Sequence, residues 1–246
     1  MRSEFFRRKK KLYDFFVAFV NLSFKKGCEG TRGRVAPRIR KDNMEKTRIA
    51  VLVSGGGTNL QALIDAQKSG IIKSGEIALV ISSKSGVFAL ERAKTAGIKT
   101  AVCERKAFAD KADFDTALLG LLSENKIELI VLAGFMCILG KEFTDKYPER
   151  IINIHPSLIP SFCGEGFYGL RVHEAALGYG VKVTGATVHF VNEIPDGGRI
   201  IMQKAVYIKD GDTPEVLQKR VMEEAEWEIL PLACEKVAKE LQNSRR

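Results

Sequence analysis

From residue 48 onward the chain alternates short apolar runs with stretches whose apolar residues recur at helical spacing. Arg48 to Val53 (Arg-Ile-Ala-Val-Leu-Val) and Glu128 to Ala133 (Glu-Leu-Ile-Val-Leu-Ala) are continuous apolar runs, as expected of strands covered on both faces of a parallel sheet. Similar runs occur at Glu76 to Ser82, at Lys99 to Cys103, from Ile151, at Lys182 to Val191, where apolar and polar residues alternate, and at Arg199 to Ile208. Between them, Leu60, Leu63 and Ile64 carry a first helical pattern, and further helices are expected near residues 86–96, 111–125 and 171–178. Asp212, Thr213 and Pro214 cap a last helix with Leu217, Val221 and Ala225 on one face, which Pro231 is expected to kink or restart. This rhythm predicts an α/β fold, a doubly wound, mostly parallel twisted sheet of about seven strands flanked by helices, Rossmann-like in its first half.

Four places break the pattern with chemistry. The run from Ile151 carries Asn153 and His155, two residues apart and so on one face, before Pro156 and Pro160 end the strand and stiffen the next few residues. A buried strand needs neither polar group, so the pair reads either as a satisfied core histidine beside a turn-forming asparagine or as half of a site at a strand's carboxyl end. Ser54-Gly55-Gly56-Gly57-Thr58-Asn59 comes directly after the first strand, with Thr58 and Gln61 fitting a capping box. That loop lacks the spacing of either common nucleotide-binding glycine motif, and reads as an anion cradle at a helix N-terminus or as a turn. Gly134-Phe135-Met136-Cys137-Ile138-Leu139 continues apolar past its strand, either as core for the next helix or as the wall of a pocket for a flat aromatic ligand. Asp196-Gly197 is a common hairpin turn pair, and His189, with nothing chemical beside it in sequence, reads as structural.

Composition changes the picture in one respect. The formal charge of +9 suggests a polyanion binder, but residues 1–43 hold thirteen Lys and Arg against four acids, a surplus of nine that equals the whole. Residues 44–246 are therefore formally neutral, and any nucleic-acid or anionic-surface role falls to the basic segment. That segment, a basic cluster, an interrupted apolar run and a Gly-containing basic stretch, reads as a disordered extension, with the single functional domain at 44–246; a membrane-surface anchor or an organelle address are the alternatives. Five scattered cysteines (Cys28, Cys103, Cys137, Cys163, Cys234) form no metal-spaced set and suit free thiols in a reducing cytoplasm, with no metal expected. No run approaches a membrane span of roughly 18 apolar residues.

Taken together, the glycine loop through Leu60-Gln61, Leu132-Ala133-Gly134-Phe135-Met136, Asn153-Ile154-His155-Pro156-Ser157-Leu158, and His189-Phe190-Val191 through Asp196-Gly197-Gly198 occur in the order and spacing of the phosphoribosylglycinamide formyltransferases. The resemblance covers roughly Thr47 to Leu232. It implies a formyltransferase fold and transfer of a formyl group from 10-formyltetrahydrofolate to the amine of phosphoribosylglycinamide in purine biosynthesis, by a monomer or homodimer that binds small molecules and neither nucleic acid nor membrane. By the same resemblance Asn153, His155 and Asp196 are catalytic. Asn153 and a protonated His155 would stabilise the oxyanion, and Asp196 would raise the His155 pKa and relay a proton. Gly55, Gly56, Gly57, Thr58 and Asn59 would cradle the phosphate and Glu226 the ribose hydroxyls. Met136, Cys137, Ile138 and Leu139 with Val191, Asn192, Glu193, Ile194 and Pro195 would wall the pterin, and His173 and Ser157 would support the site. Cys137 stands where many members have arginine, the loop 162–170 has no assigned role, and Ile159-Pro160 matches a bond that the family can hold cis. A hydrolase of the same folate, another folate-dependent formyltransferase, and an anionic-surface or nucleic-acid binder acting through the basic segment are the competing readings.

Overall fold

The structure, a computed structural model, describes residues 45–245; the expectations for the basic segment at residues 1–43 lie outside them. Seven strands form one sheet in the order β3-β2-β1-β4-β5-β6-β7. They are β1 (Thr47–Val53), β2 (Gly75–Ser82), β3 (Lys99–Val102), β4 (Leu129–Leu132), β5 (Ile151–His155), β6 (Val183–Phe190) and β7 (Ile200–Tyr207). The first five pair in parallel, whereas β5 with β6 and β6 with β7 are antiparallel. The expected fold class is therefore observed, and all seven strand-like runs are strands within a residue or two.

Alternation along each central strand feeds two cores. In β1, Ile49, Val51 and Val53 face a layer that includes Leu60, Leu63, Leu230 and Val237. Ala50 and Leu52 face the opposite layer, with Phe114, Leu118 and Phe143. Covering both faces is what makes the run wholly apolar, since each buried Leu, Ile or Phe contributes roughly 1.5–3 kcal/mol whichever way it points. The helices that supply these layers are α1 (Thr58–Lys68), α2 (Phe88–Thr95), α3 (Lys111–Glu124), α4 (Lys141–Lys146), α5 (Leu170–Tyr179), α6 (Pro214–Val221) and α7 (Trp227–Asn243).

Two local expectations are corrected. The capping box at Thr58 and Gln61 does not form: Gly57 takes the N-cap position in the left-handed region (φ 73) with no side-chain cap. Gln61 instead reaches Asp65 and receives Arg92. A left-handed N-cap at Gly57 puts Thr58 at the first helical position, and its hydroxyl points to the Met222 sulfur at 3.9 Å. Nor does Pro231 restart a helix. It lies within α7, and the irregularity is a π turn at Met222–Glu226 just upstream. Residues 222–243 therefore run without a break past the proline, whose missing N–H falls early in α7. Among the described residues no helix is long and apolar enough to cross a membrane, and Cys103, Cys137, Cys163 and Cys234 are free.

Candidate active site

Strand order reverses between β1 and β4: from β1 the chain steps outward to β2 and β3, then returns to lay β4 on β1's other side. Open α/β sheets bind ligands at the carboxyl edge beside such a reversal. The glycine loop leaves β1 there, and the 134–140 loop leaves β4 next to it, since Leu52 pairs with Leu132. Leu132 in turn pairs with Asn153, so the third strand end at this edge delivers Asn153 and His155. Three separate stretches of sequence thus meet at one edge because their strands are parallel neighbours.

His155 is buried, with Nε2 2.9 Å from the Phe162 carbonyl and Nδ1 3.4 Å from Asp196 Oδ2. A carbonyl only accepts, so Nε2 carries a hydrogen and Nδ1 is the nitrogen turned to the carboxylate. Asp196, at φ 55 in the β6–β7 connection, also accepts from the Gly164 N–H at 2.9 Å, and its Oδ1 lies 3.5 Å from His189 Nε2. Burial opposes charge on Asp196, but the nearby His189 and His155 rings and the Gly164 N–H outweigh it and hold the carboxyl below its ordinary value. For His155 the balance falls the other way. Burial depresses its pKa, and the Asp196 charge and Phe162 carbonyl raise it without compensating. The expectation that Asp196 lifts the His155 pKa is thus met in direction for that one interaction and corrected in outcome, because 3.4 Å is longer than a direct charged hydrogen bond while desolvation acts in full.

His189 is not the isolated structural residue that its sequence neighbourhood suggests. It pairs across the sheet with Asn153, and its Nε2 lies 3.2 Å from Asn153 Nδ2. Its Nδ1 donates to the Phe190 carbonyl at 2.8 Å, and with Nε2 accepting from Asn153 the amide's second N–H is left for a ligand. The signal in the sequence was register: antiparallel pairing of the two strands sets His189 opposite Asn153. The loop 162–170 also gains a part, because Phe162 and Gly164 give His155 and Asp196 their backbone partners. Ile159-Pro160 is cis, and Ser157, fully buried, turns its hydroxyl to the Ser161 carbonyl within this corner. His173 on α5 is fully buried with both ring nitrogens unpaired, and burial together with the His155 charge pushes its pKa down to about 4.

At the glycine loop, the Gly55 and Gly56 carbonyls are drawn back onto α2 by the Ala89 N–H at 3.2 Å and Arg92 Nε at 2.9 Å. A Cβ on Gly57 would fall 2.7 Å from that of Ala89, so only glycine allows α1 and α2 to approach here. With no side-chain cap, the first N–H groups of α1 face outward with the positive end of the helix behind them. Beside them Asn59 Nδ2 donates to Glu226 Oε2 at 2.6 Å, while Asn59 Oδ1 is buried without a partner. Glu226 is delivered by the π turn, and burial pushes its pKa up to about 7 against the Asn59 hydrogen bond. On the other loops Met136, Ile138 and Ile194 are exposed, Glu193 and Pro195 are exposed, and Cys137, Val191 and Asn192 are partly covered. Leu139 differs: it is buried in the core with Phe114 and Phe143 and anchors its loop from beneath.

The formyl transferase family pattern matches residues 47–234. A phosphoribosylglycinamide formyltransferase from Haemophilus influenzae is 45% identical over 185 residues, 75% of this chain and 84% of that protein. The trifunctional purine biosynthetic protein adenosine-3 of Gallus gallus is 48% identical over 198 residues, 80% of this chain, which spans only 19% of that protein's length. The crystal structure of glycinamide ribonucleotide transformylase 1 from Symbiobacterium toebii superposes with a TM-score of 0.74 at 42% identity, covering 79% of this chain and 88% of that one. With the match running from β1 into α7 and through every strand that carries the site, the chain belongs to the formyl transferase family.

Proposed function

We propose that residues 44–246 form a single catalytic domain that transfers the formyl group of 10-formyltetrahydrofolate to the amine of phosphoribosylglycinamide, giving the formylated nucleotide and tetrahydrofolate in purine biosynthesis. The observation that carries the reading is the convergence of Asn153, His155 and Asp196 at the sheet edge between an uncapped glycine-loop helix and two loops of exposed apolar side chains. The uncapped N–H groups suit a phosphate, and Glu226 with the unpartnered Asn59 Oδ1 suits the ribose hydroxyls. The large exposed side chains Met136, Ile138 and Ile194 suit a flat pterin.

In this reading the amine nitrogen bonds to the formyl carbon as the bond from that carbon to N10 of the folate breaks. The free N–H of Asn153 donates to the formyl oxygen as negative charge develops there, and protonated His155, its two N–H groups turned to the Phe162 carbonyl and Asp196, adds positive charge beside it. Asp196 favours that form and lies where it can pass a proton, through water, from the amine toward N10. His189 fixes the Asn153 amide by accepting its other hydrogen. The free thiols suit a reducing compartment, and the cytoplasm is the proposed setting.

The test is to mix the protein with 10-formyltetrahydrofolate, with and without phosphoribosylglycinamide, and follow the folate absorbance. Turnover only with the nucleotide present supports the transferase; equal turnover in both tubes sinks it and makes the protein a hydrolase.

A further inference from the structure

The loop from Gly134 to Gly140 presents Met136 and Ile138 to solvent, so burial of its own side chains does little to fix its middle. Its shape comes from tethers. Ser54 comes just after β1 and Ser83 just after β2; both are buried, and their hydroxyl oxygens are 2.6 Å apart. The Met136 N–H donates to Ser54 Oγ at 2.9 Å. A backbone N–H can only donate, so the Ser54 O–H is left to donate to Ser83 Oγ. The loop is thereby pinned through Ser54 to the ends of two adjacent strands. At the far end the Gly140 N–H donates to Asp115 Oδ2 at 2.9 Å, and a Cβ on Gly140 would lie only 2.6 Å from that oxygen, so the loop is pressed against α3 there.

We propose that Ser54 and Ser83 are positioning residues for the folate, their hydroxyl pair holding the 134–140 loop in the shape that receives the pterin. The inference rests on the transferase reading above. A hydroxyl pair at this depth loses its water whether or not it is bonded, so removing one member strands the other and the Met136 N–H.

Ser54→Ala, Ser83→Ala and the double variant, made in the full chain, test this by calorimetric titration with tetrahydrofolate and by KM for both substrates, with thermal midpoints in parallel. Ser54→Ala is expected to weaken tetrahydrofolate binding about tenfold while changing the nucleotide KM less than about twofold. Ser83→Ala, which leaves Met136 its acceptor, is expected to cost about threefold, and the double variant no more than Ser54→Ala, since the pair acts as a unit. An unchanged folate Kd, an equal rise in both KM values, or additive losses would overturn the proposal. If Ser54→Ala does not fold, Ser83→Ala alone decides it by the same folate Kd. Parent protein that binds tetrahydrofolate but transfers no formyl group would remove the transferase reading and leave the clamp to be judged on Kd; parent protein that binds no folate would remove both.

Discussion

Replacing Asp196 by Asn is the most direct perturbation of the proposed chemistry, because it preserves volume and an acceptor for the Gly164 N–H while deleting one charge. Asp196 Oδ2 stands 3.4 Å from His155 Nδ1, and the two side chains are 12% and 6% exposed. Two unit charges at that separation interact by about 5 kcal/mol at an effective dielectric of about 20. That is an upper bound, since the contact is longer than a direct charged hydrogen bond and the partner charge is shared with His189. About half of it, roughly 2.5 kcal/mol, corresponds to a loss of about a hundredfold in kcat. The same geometry gives the sign of the pH effect. Burial already holds the His155 pKa low, and the Asp196 charge is the main influence raising it, so its removal lowers the value further. Activity that needs protonated His155 falls as pH rises through that pKa, and in Asp196→Asn the fall should begin at lower pH. The assay is steady-state kcat and folate KM across about pH 5.5 to 8.5. A kcat within about threefold of the parent, with no acid shift of the profile, would remove Asp196 from the proton path.

Glu226 and Gly57 give two further checks. The folded-state pKa of Glu226 is raised from 4.5 to about 7, so its contribution to stability is intact below about pH 4.5 and is lost as pH rises through about 7, roughly 3 kcal/mol in all. Glu226→Gln should therefore match the parent's thermal midpoint near pH 4.5 and exceed it by roughly 5–10 °C at about pH 8.5, while raising the nucleotide KM; parallel midpoints at both pH values would contradict the buried charge. In Gly57→Ala the new Cβ would meet Ala89 at 2.7 Å in a left-handed backbone, which should raise the nucleotide KM about tenfold or more and leave the folate KM nearly unchanged. An unaffected nucleotide KM would argue against the glycine loop as phosphate cradle.

Much of this protein was written in the spacing of its apolar residues. Runs such as residues 49–53 are apolar on both faces because both faces are covered, so the sheet class and the layer count can be read from the pattern alone. Asn153 and His155 were legible for the same reason in reverse: polar side chains in such a run cost free energy that only a ligand or a partner repays. Helix ends were less legible. Whether Thr58 or Gly57 caps α1 depends on the backbone angle of one glycine, and that angle is set by how closely Ala89 approaches from another helix. The π turn that carries Glu226 was invisible for a similar reason, since an extra residue in a helical turn leaves the surrounding periodicity almost intact.

What the sequence by itself determined is therefore local: which stretches are strands, which positions are buried, and which buried positions are anomalous. Tertiary structure decided what those anomalies face. His189 is 36 residues from Asn153 and looked inert until β6 paired with β5 and put the two side chains in contact. The Ser54 and Ser83 hydroxyls meet only because β1 and β2 are parallel neighbours whose last residues, Val53 and Ser82, are paired. The protonation of His155 is decided the same way, because burial and the distance to Asp196 are properties of packing: desolvation acts from every side, whereas the carboxylate acts from one direction at 3.4 Å. Spacing along a chain records periodicity, and it carries no record of the distance across a sheet on which hydrogen bonds and charge interactions depend.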